Sequence, residues 1–226
     1  MPLKFPLPII YPITSGTTTR QTTPDDPQFS DILRLVRAAV DAEVPLFQIR
    51  EKVLSARVLF ELVARATEIT RGSKTRLLVN DRSDIARAAG ADGVHLTTQS
   101  LPVEVVRNIC GAEFLIGVST HSLDEARAAR AAGADFVVFG PIFETESKRA
   151  YGRPQGLDKL RELTQALGEF PVVAIGGIAI ENVHECFDAG ASGIAAIRLL
   201  NGDEDLSSIV RAIYGKFGTG FQDFTR

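Results

Sequence analysis

Short apolar runs alternate with longer amphipathic ones along the whole chain. The short runs cover residues 8–13, 46–49, 76–79, 93–96, 114–118, 136–139, 172–175 and 193–197, and they are continuously apolar and rich in Val, Ile and Phe. A strand with one wet face alternates polar and apolar positions, whereas an unbroken apolar run suits a parallel strand covered on both faces. Between these runs, helical patterns span 29–41, 55–71, 83–89, 102–109, 122–132, 157–167, 180–189 and 205–216. The second of them sets Val58, Leu62, Ala66 and Ile69 on one stripe, the spacing of a helix with a single buried face. The fifth opens on Ser122-Leu-Asp-Glu125, a capping box with Ser122 at the N-cap.

The chain also repeats itself. Ala89-Gly-Ala-Asp-Gly-Val, Ala132-Gly-Ala-Asp-Phe-Val and Ala189-Gly-Ala-Ser-Gly-Ile each fall between a helix and the next strand. The Gly ends the helix in a left-handed conformation, and its small neighbours let helix and strand pack closely. One supersecondary unit is therefore being reused. Eight such units in 226 residues predict an α/β fold, a single (β/α)8 TIM barrel over 1–226. The competing architecture is an open doubly wound sheet. No Gly-x-Gly-x-x-Gly follows the first strand, which counts against its dinucleotide-binding form. The stretch 14–27, rich in Thr, Pro and Asp, reads as a long flexible loop, and 149–155, with Gly152 and Pro154, as an active-site lid.

Apolar residues make up 45% and charged residues 23% of the chain, ample for a sizeable core. A net charge of −3 argues against nucleic acid as partner, because neutralising many phosphates needs a basic face. Any bound anion should be small and held locally. Cys110 and Cys186 stand far apart and form no metal-spaced cluster, as in a protein of a reducing compartment. The apolar start, 1–10, carries three prolines and is too short for a membrane segment. The expected setting is cytoplasmic, away from membranes; monomer or homo-oligomer is left open.

In a barrel, polar residues just past the strands' carboxyl ends point into the active site. Here nearly every strand ends in groups fit for anions or metal. Strand 2 runs into Gln48-Ile-Arg50-Glu-Lys52; alternation puts Gln48, Arg50 and Lys52 on one side, a row of donors with two positive charges. Strand 3 ends in Asn80-Asp81-Arg82, an amide and a carboxylate suited to Mg²⁺. Strand 5 ends in Ser119-Thr-His121, strand 6 in 140–148 with Thr145, Ser147 and Lys148, strand 7 in Gly176-Gly177, and strand 8 at Ile197-Arg198. The bare amides of a Gly-Gly pair can approach a phosphate at a helix N-terminus. Any one of these can be an ordinary solvated strand end or turn. Their recurrence on successive strand ends is what solubility alone would not require.

The assembled residues resemble the thiamine phosphate synthase family over most of the chain. The carriers are Gln48-Ile-Arg-Glu-Lys52, Asn80-Asp-Arg82, Gly93-Val-His-Leu96, Gly117-Val-Ser-Thr-His121, Gly140-Pro-Ile-Phe-Glu-Thr-Glu-Ser-Lys148 and Ala174-Ile-Gly-Gly-Ile178. The resemblance implies a transferase that joins hydroxymethylpyrimidine diphosphate to thiazole phosphate, giving thiamine phosphate and pyrophosphate. It implies that Gln48, Arg50, Lys52, Asn80 and Lys148 grip the diphosphate, that Asp81 binds Mg²⁺, and that Ser119 faces the pyrimidine. Thr145, Ser147 and Gly177 would hold the thiazole phosphate, with Ile197 and Arg198 nearby. Diphosphate departure from an electron-rich pyrimidine methyl leaves a resonance-stabilised cation, so such a reaction needs positioning and charge stabilisation, not a protein nucleophile.

Three positions depart from the family pattern. The Asp expected after Gly-Gln, a second Mg²⁺ ligand, is replaced by Ser100; strand 1 ends in Thr14-Ser15 where Thr-Asp is usual; Arg198 stands where a Ser is usual. These departures point towards a relative of the same fold, the thiazole tautomerase, whose pattern tolerates Ser near position 100 and uses a His matching His121 for proton transfer. That enzyme does not need Gln48, Lys52 or Asp81, all present here. A non-catalytic thiazole phosphate-binding barrel, its metal lost through Ser100, is the alternative of another class. His95 reads as packed in the barrel mouth rather than as a ligand, and Cys110 and Cys186 as inert buried thiols.

Overall fold

A computed structural model of the chain describes residues 6–144, 154–202 and 205–217. The strands are β1 (Ile9–Pro12), β2 (Leu46–Ile49), β3 (Arg76–Asn80), β4 (Gly93–Leu96), β5 (Leu115–Thr120), β6 (Phe136–Phe139), β7 (Val172–Ile175) and β8 (Gly193–Ala196). They alternate with α1 (Pro27–Asp41), α2 (Ala56–Thr70), α3 (Ser83–Ala88), α4 (Val103–Cys110), α5 (Leu123–Ala131), α6 (Gly156–Leu167), α7 (Val183–Asp188) and α8 (Leu206–Lys216). All neighbours pair in parallel, in the order β1-β8-β7-β6-β5-β4-β3-β2. The ends of that order meet through a single bridge between Ile13 and Gln48, and this closes the (β/α)8 barrel.

Closure is completed by a side chain. The Thr14 amide donates to the Gln48 carbonyl at 3.0 Å, and the Arg50 amide donates to Thr14 Oγ1 at 2.8 Å. Thr14 thus extends the ladder beyond the last strand pairing and fixes the height of Arg50 at the mouth. The following stretch forms no helix until Pro27, yet it is tethered. Buried Glu51 accepts from the Gly16 amide at 3.2 Å, the Thr18 amide at 3.3 Å and the Thr18 hydroxyl at 2.6 Å.

Apolar residues divide into two cores. Ile9, Tyr11, Leu46, Leu78, Phe136 and Val173 belong to the one inside the barrel; the other lies between sheet and helices. The Phe136 ring occupies the space in front of Gly117, where a Cβ would come within 2.3 Å of it. Large and small residues on adjacent strands so interlock, as filling a barrel requires.

The Ala-Gly-Ala repeat has a physical role at the amino ends of the strands. Its glycines, Gly90, Gly133 and Gly190, take φ of 75°, 97° and 88°, the left-handed turn expected after a helix. The fourth residue of each copy ties the strand just entered to its neighbour. Asp92 accepts from the Leu77 amide at 2.8 Å, Asp135 from the Ile116 amide at 2.7 Å, and Ser192 from the Val172 amide at 3.3 Å. Arg107 completes this rim, donating to Asp135 at 2.7 Å and to the carbonyls of Gly111, Ala112, Phe114 and Gly133.

Two elements differ from the periodicity in ways that matter for the site. Strand β5 runs on to Thr120, so Ser119 is a strand residue rather than a loop residue. Helix α7 starts only at Val183, because Asn182 closes a turn, accepting from the Ala179 amide at 2.8 Å and donating to the Gly177 carbonyl at 3.0 Å. Gly177 therefore does not adjoin a helix N-terminus.

Candidate active site

Residues of β2, β3 and β4 open on a cleft of about 310 Å³ at the carboxyl ends of the strands, lined by Lys52, Asn80, Asp81, Arg82, Thr97 and Gln99 among others. Three of the residues expected to act together, Lys52, Asn80 and Asp81, meet here. Lys52 reaches it by an unexpected route. Strand β2 ends at Ile49 and the chain turns, so Glu51 points inward to the Thr18 loop and Lys52 lies exposed at the cleft. Arg50 stays close enough that its charge is the main cause pulling the Lys52 ammonium below its ordinary value, with burial second and Asp81 opposing. Two cations held together against their own repulsion make a place for a multivalent anion.

Asp81 is held in a left-handed conformation, φ 65°, uncommon outside Gly. Its amide donates to the His95 carbonyl at 2.9 Å, and its carbonyl accepts from the Ser83 amide at 3.0 Å. This kink keeps the carboxylate exposed beside the cleft, and such strain gathers at functional sites. Arg82 turns aside into a bidentate pair with Asp84, at 2.8 and 2.6 Å. Ser100 is committed elsewhere: its hydroxyl accepts from the Thr97 amide at 2.8 Å and lies 3.2 Å from Thr97 Oγ1.

Gln48 and Ser119 are linked deeper, inside the barrel, through Tyr11 and His95. Gln48, 1% exposed, donates through Nε2 to the Tyr11 hydroxyl at 2.9 Å. That hydroxyl lies 3.3 Å from His95 Nδ1, and His95 Nε2 lies 2.8 Å from Ser119 Oγ. Burial, and after it the charge of Arg50, pulls His95 down to about 3. Burial also pushes the Tyr11 phenol well above its ordinary value. His95 is thus packed in the mouth, as its place on β4 suggested, but it also joins two polar residues. Sequence reasoning passed over Tyr11 and Glu51. The inward alternation Ile9, Tyr11, Ile13 along β1, at the height of Gln48 and His95, was the available signal for Tyr11.

The remaining residues sit apart from that cluster. His121 is exposed; its amide donates to Glu125 at 2.7 Å and its ring lies 3.5 Å from the same carboxylate. Ser122 accepts from the Glu125 amide at 3.2 Å, so the capping box forms, with its carboxylate reaching one residue further back than usual. Gly177, φ 67°, packs against Phe143, whose Cβ would lie 2.6 Å from an added side chain. Ile197 borders the barrel core and Arg198 is exposed beyond β8. Asn201 donates to the carbonyls of Ile13, at 2.8 Å, and Ile197, joining the ends of β1 and β8. Thr145, Ser147 and Lys148 lie outside the described residues, as does the lid stretch up to Arg153. The chain returns at Pro154, and the Gln155 and Gly156 amides donate to the Pro141 and Ile142 carbonyls at 2.7 and 3.2 Å.

Fold and site together define a (β/α)8 barrel with an anion-seeking mouth, the arrangement of enzymes that handle phosphorylated small molecules. Comparison with known proteins narrows this. Residues 19–200 match the family model described as thiamine monophosphate synthase. A thiamine-phosphate synthase of Moorella thermoacetica is 41% identical over 181 residues, 80% of this chain and 86% of that protein. One from Methanoculleus marisnigri is 39% identical over 204 residues, covering 90% and 92%. Among solved structures, a thiamine phosphate pyrophosphorylase from Pyrococcus furiosus superposes with a TM-score of 0.77 at 31% identity, covering 93% of this chain and 95% of that one. The chain belongs to the thiamine monophosphate synthase family and, with it, to the transferases. Among the described residues no helix is long and apolar enough to cross a membrane.

Proposed function

We propose that the chain couples hydroxymethylpyrimidine diphosphate to hydroxyethylthiazole phosphate, forming thiamine phosphate and releasing pyrophosphate, in the cytoplasm. The observation that carries this reading is the meeting of Lys52, Asn80 and Asp81 in one cleft, with Arg50 close enough to perturb Lys52. The C–O bond to the diphosphate breaks and a C–N bond to the thiazole forms. Arg50 and Lys52 stabilise charge accumulating on the departing diphosphate. The barrel wall at Ser119 orients the pyrimidine, and the β6–β7 side, with Gly177, receives the thiazole phosphate. Holding the ring nitrogen in line for attack supplies most of the remaining rate.

The residues present fit Mg²⁺ on the diphosphate side. Among the described residues no group of three or more His, Cys, Asp or Glu could cage a metal, but Mg²⁺ typically takes one or two carboxylates together with water and substrate phosphate. Asp81 would supply the carboxylate, with Asn80 and Gln99 lining the same cleft. When bound, Mg²⁺ would neutralise part of the diphosphate charge.

The tautomerase alternative is not favoured, since His121 is exposed and engaged with Glu125 at the start of α5. Coupling of the two purified substrates, followed by thiamine phosphate formation against Mg²⁺ concentration, is the deciding assay. Product with Mg²⁺ dependence is expected; no product at any Mg²⁺ level would sink the proposal. Interconversion of the thiazole tautomers, abolished by His121→Ala, would replace it with the isomerase. Tight thiazole phosphate binding without turnover would replace it with the binding barrel.

A further inference from the structure

Above the apolar barrel core lies a chain of four polar side chains: Gln48, Tyr11, His95 and Ser119. Three of them are buried, at 1%, 0% and 3% exposure, and only Ser119, at the carboxyl end of β5, is partly open. Buried polar groups of this kind must satisfy one another, so the number of protons each carries sets the direction of the whole chain.

The Tyr11 hydroxyl accepts from Gln48 Nε2 at 2.9 Å. Its single proton is then available for His95 Nδ1, 3.3 Å away. A nitrogen that accepts carries no proton, so the neutral imidazole must bear its proton on Nε2. Neutrality follows from the surroundings: the ring is buried against Tyr11 and Phe136, with ring centroids at 5.8 and 6.3 Å. His95 Nε2 therefore donates to Ser119 Oγ at 2.8 Å. The Ser119 hydroxyl has accepted one bond, and its own proton remains to be given away into the mouth.

We propose that Tyr11 and His95 are positioning residues that turn the Ser119 hydroxyl into a hydrogen-bond donor, so that the site selects a substrate ring presenting an unprotonated acceptor nitrogen at that point. This rests on the reading that Ser119 faces the pyrimidine. A ring with N–H at that position would find one of the two Ser119 lone pairs already taken by His95 and would leave the Ser119 proton without an acceptor, and leaving such a group unpaired in a closed site discriminates strongly. Reversing Gln48 would reverse every bond in the chain: Tyr11 would donate to Gln48, His95 to Tyr11, and Ser119 to His95. Ser119 would then be an acceptor, so the two directions make opposite predictions.

The test uses the intact chain labelled with ¹⁵N-histidine and observed by NMR at neutral pH without ligand. The chain has three histidines, and His95→Gln assigns the signal. A proton on Nε2 alone is expected, and Tyr11→Phe should turn that single form into a mixture of tautomers. A proton on Nδ1, in wild type, overturns the proposal.

Kinetics supply the second arm. His95→Gln, which keeps a donor near the position of Nε2, should retain kcat/KM for the pyrimidine substrate within a few-fold. His95→Leu should lower it by about 10-fold, the loss typical of one hydrogen bond, with KM for the thiazole substrate unchanged. Equal losses in two folded variants would mean packing alone and would sink the proposal. The Nε2 tautomer in a protein with no coupling activity would overturn the functional reading while confirming the direction of the chain.

Discussion

The two rims of the barrel are built on opposite electrostatic plans. At the amino ends of the strands, charge is matched on the spot. Arg107 and Asp135, only 19% and 16% exposed, face each other at 2.7 Å, and the remaining guanidinium protons go to backbone carbonyls. At the carboxyl ends, Arg50 is close enough to lower the Lys52 ammonium, neither has a carboxylate in salt-bridge contact among the described residues, and Asp81 is exposed on a left-handed kink. One rim has satisfied its groups internally and holds the barrel together. The other is left with unmet charge, which is what a site for an ionic substrate requires. The βα unit is used eight times, and three of its helix-to-strand joins are stitched by a side chain at the amino end, while the carboxyl end is left open.

Substitutions should separate the two plans, and the largest effect belongs to the mouth. Arg50→Ala should lower the coupling rate by about 10²–10³-fold while the thermal midpoint moves by no more than about 2 °C. A large loss of stability would mean that the two rims are not independent. Next comes Arg107→Ala, which leaves Asp135 and several carbonyls unpaired. It should cost about 2–3 kcal/mol in denaturant unfolding with kcat changed by less than about two-fold. A fall in kcat with unchanged stability would break the comparison from the other side.

A smaller effect concerns pH. Lys52 has its ammonium pulled down chiefly by Arg50, and only the protonated form attracts an anion. Pyrophosphate affinity, followed by calorimetry, should therefore weaken as pH rises through that lowered value, by about 10-fold. Lys52→Arg, which stays charged, should hold the affinity level over the same range; a matching decline would place the titrating group elsewhere. The smallest effect is expected at Ser100, whose hydroxyl now serves a turn with Thr97. Ser100→Asp should reduce the half-saturating Mg²⁺ concentration by about 3-fold with little change in kcat. An unchanged Mg²⁺ dependence would count against metal on the Asp81 side of the cleft.

At the amino-end rim the helix-ending glycines were legible, while the strand ties of Asp92, Asp135 and Ser192 and the Arg107 pair were not. The Ala-Gly-Ala repeat is local, and each copy does the same work: a left-handed Gly ends a helix and a short polar side chain caps a neighbouring strand. The mouth was legible where residues belong to one strand end, as with Asn80-Asp81, and less so where the chain turns. Alternation through β2 placed Lys52 beside Arg50 by the wrong path and gave Glu51 no role. In fact the strand stops at Ile49, and Glu51 is captured by backbone amides of the Thr18 loop. Ser119 and His121 both read as residues past the end of strand 5, yet extension of β5 aims Ser119 at His95 while His121 joins the cap of α5.

What the sequence determined by itself was everything set by neighbours a few residues apart: eight apolar strands, the helices between them, the capping box, and the row of anion-seeking residues after the strands. These follow from periodicity and local backbone preference, which act within one turn or one strand. What only the tertiary structure decided was which of those residues meet. Tyr11, Gln48, His95 and Ser119 come from four different strands, and their shared line of hydrogen bonds depends on barrel closure at Ile13 and Gln48. Register between strands far apart in the chain is fixed by packing and by the single way the barrel can close. No short stretch of sequence contains that information.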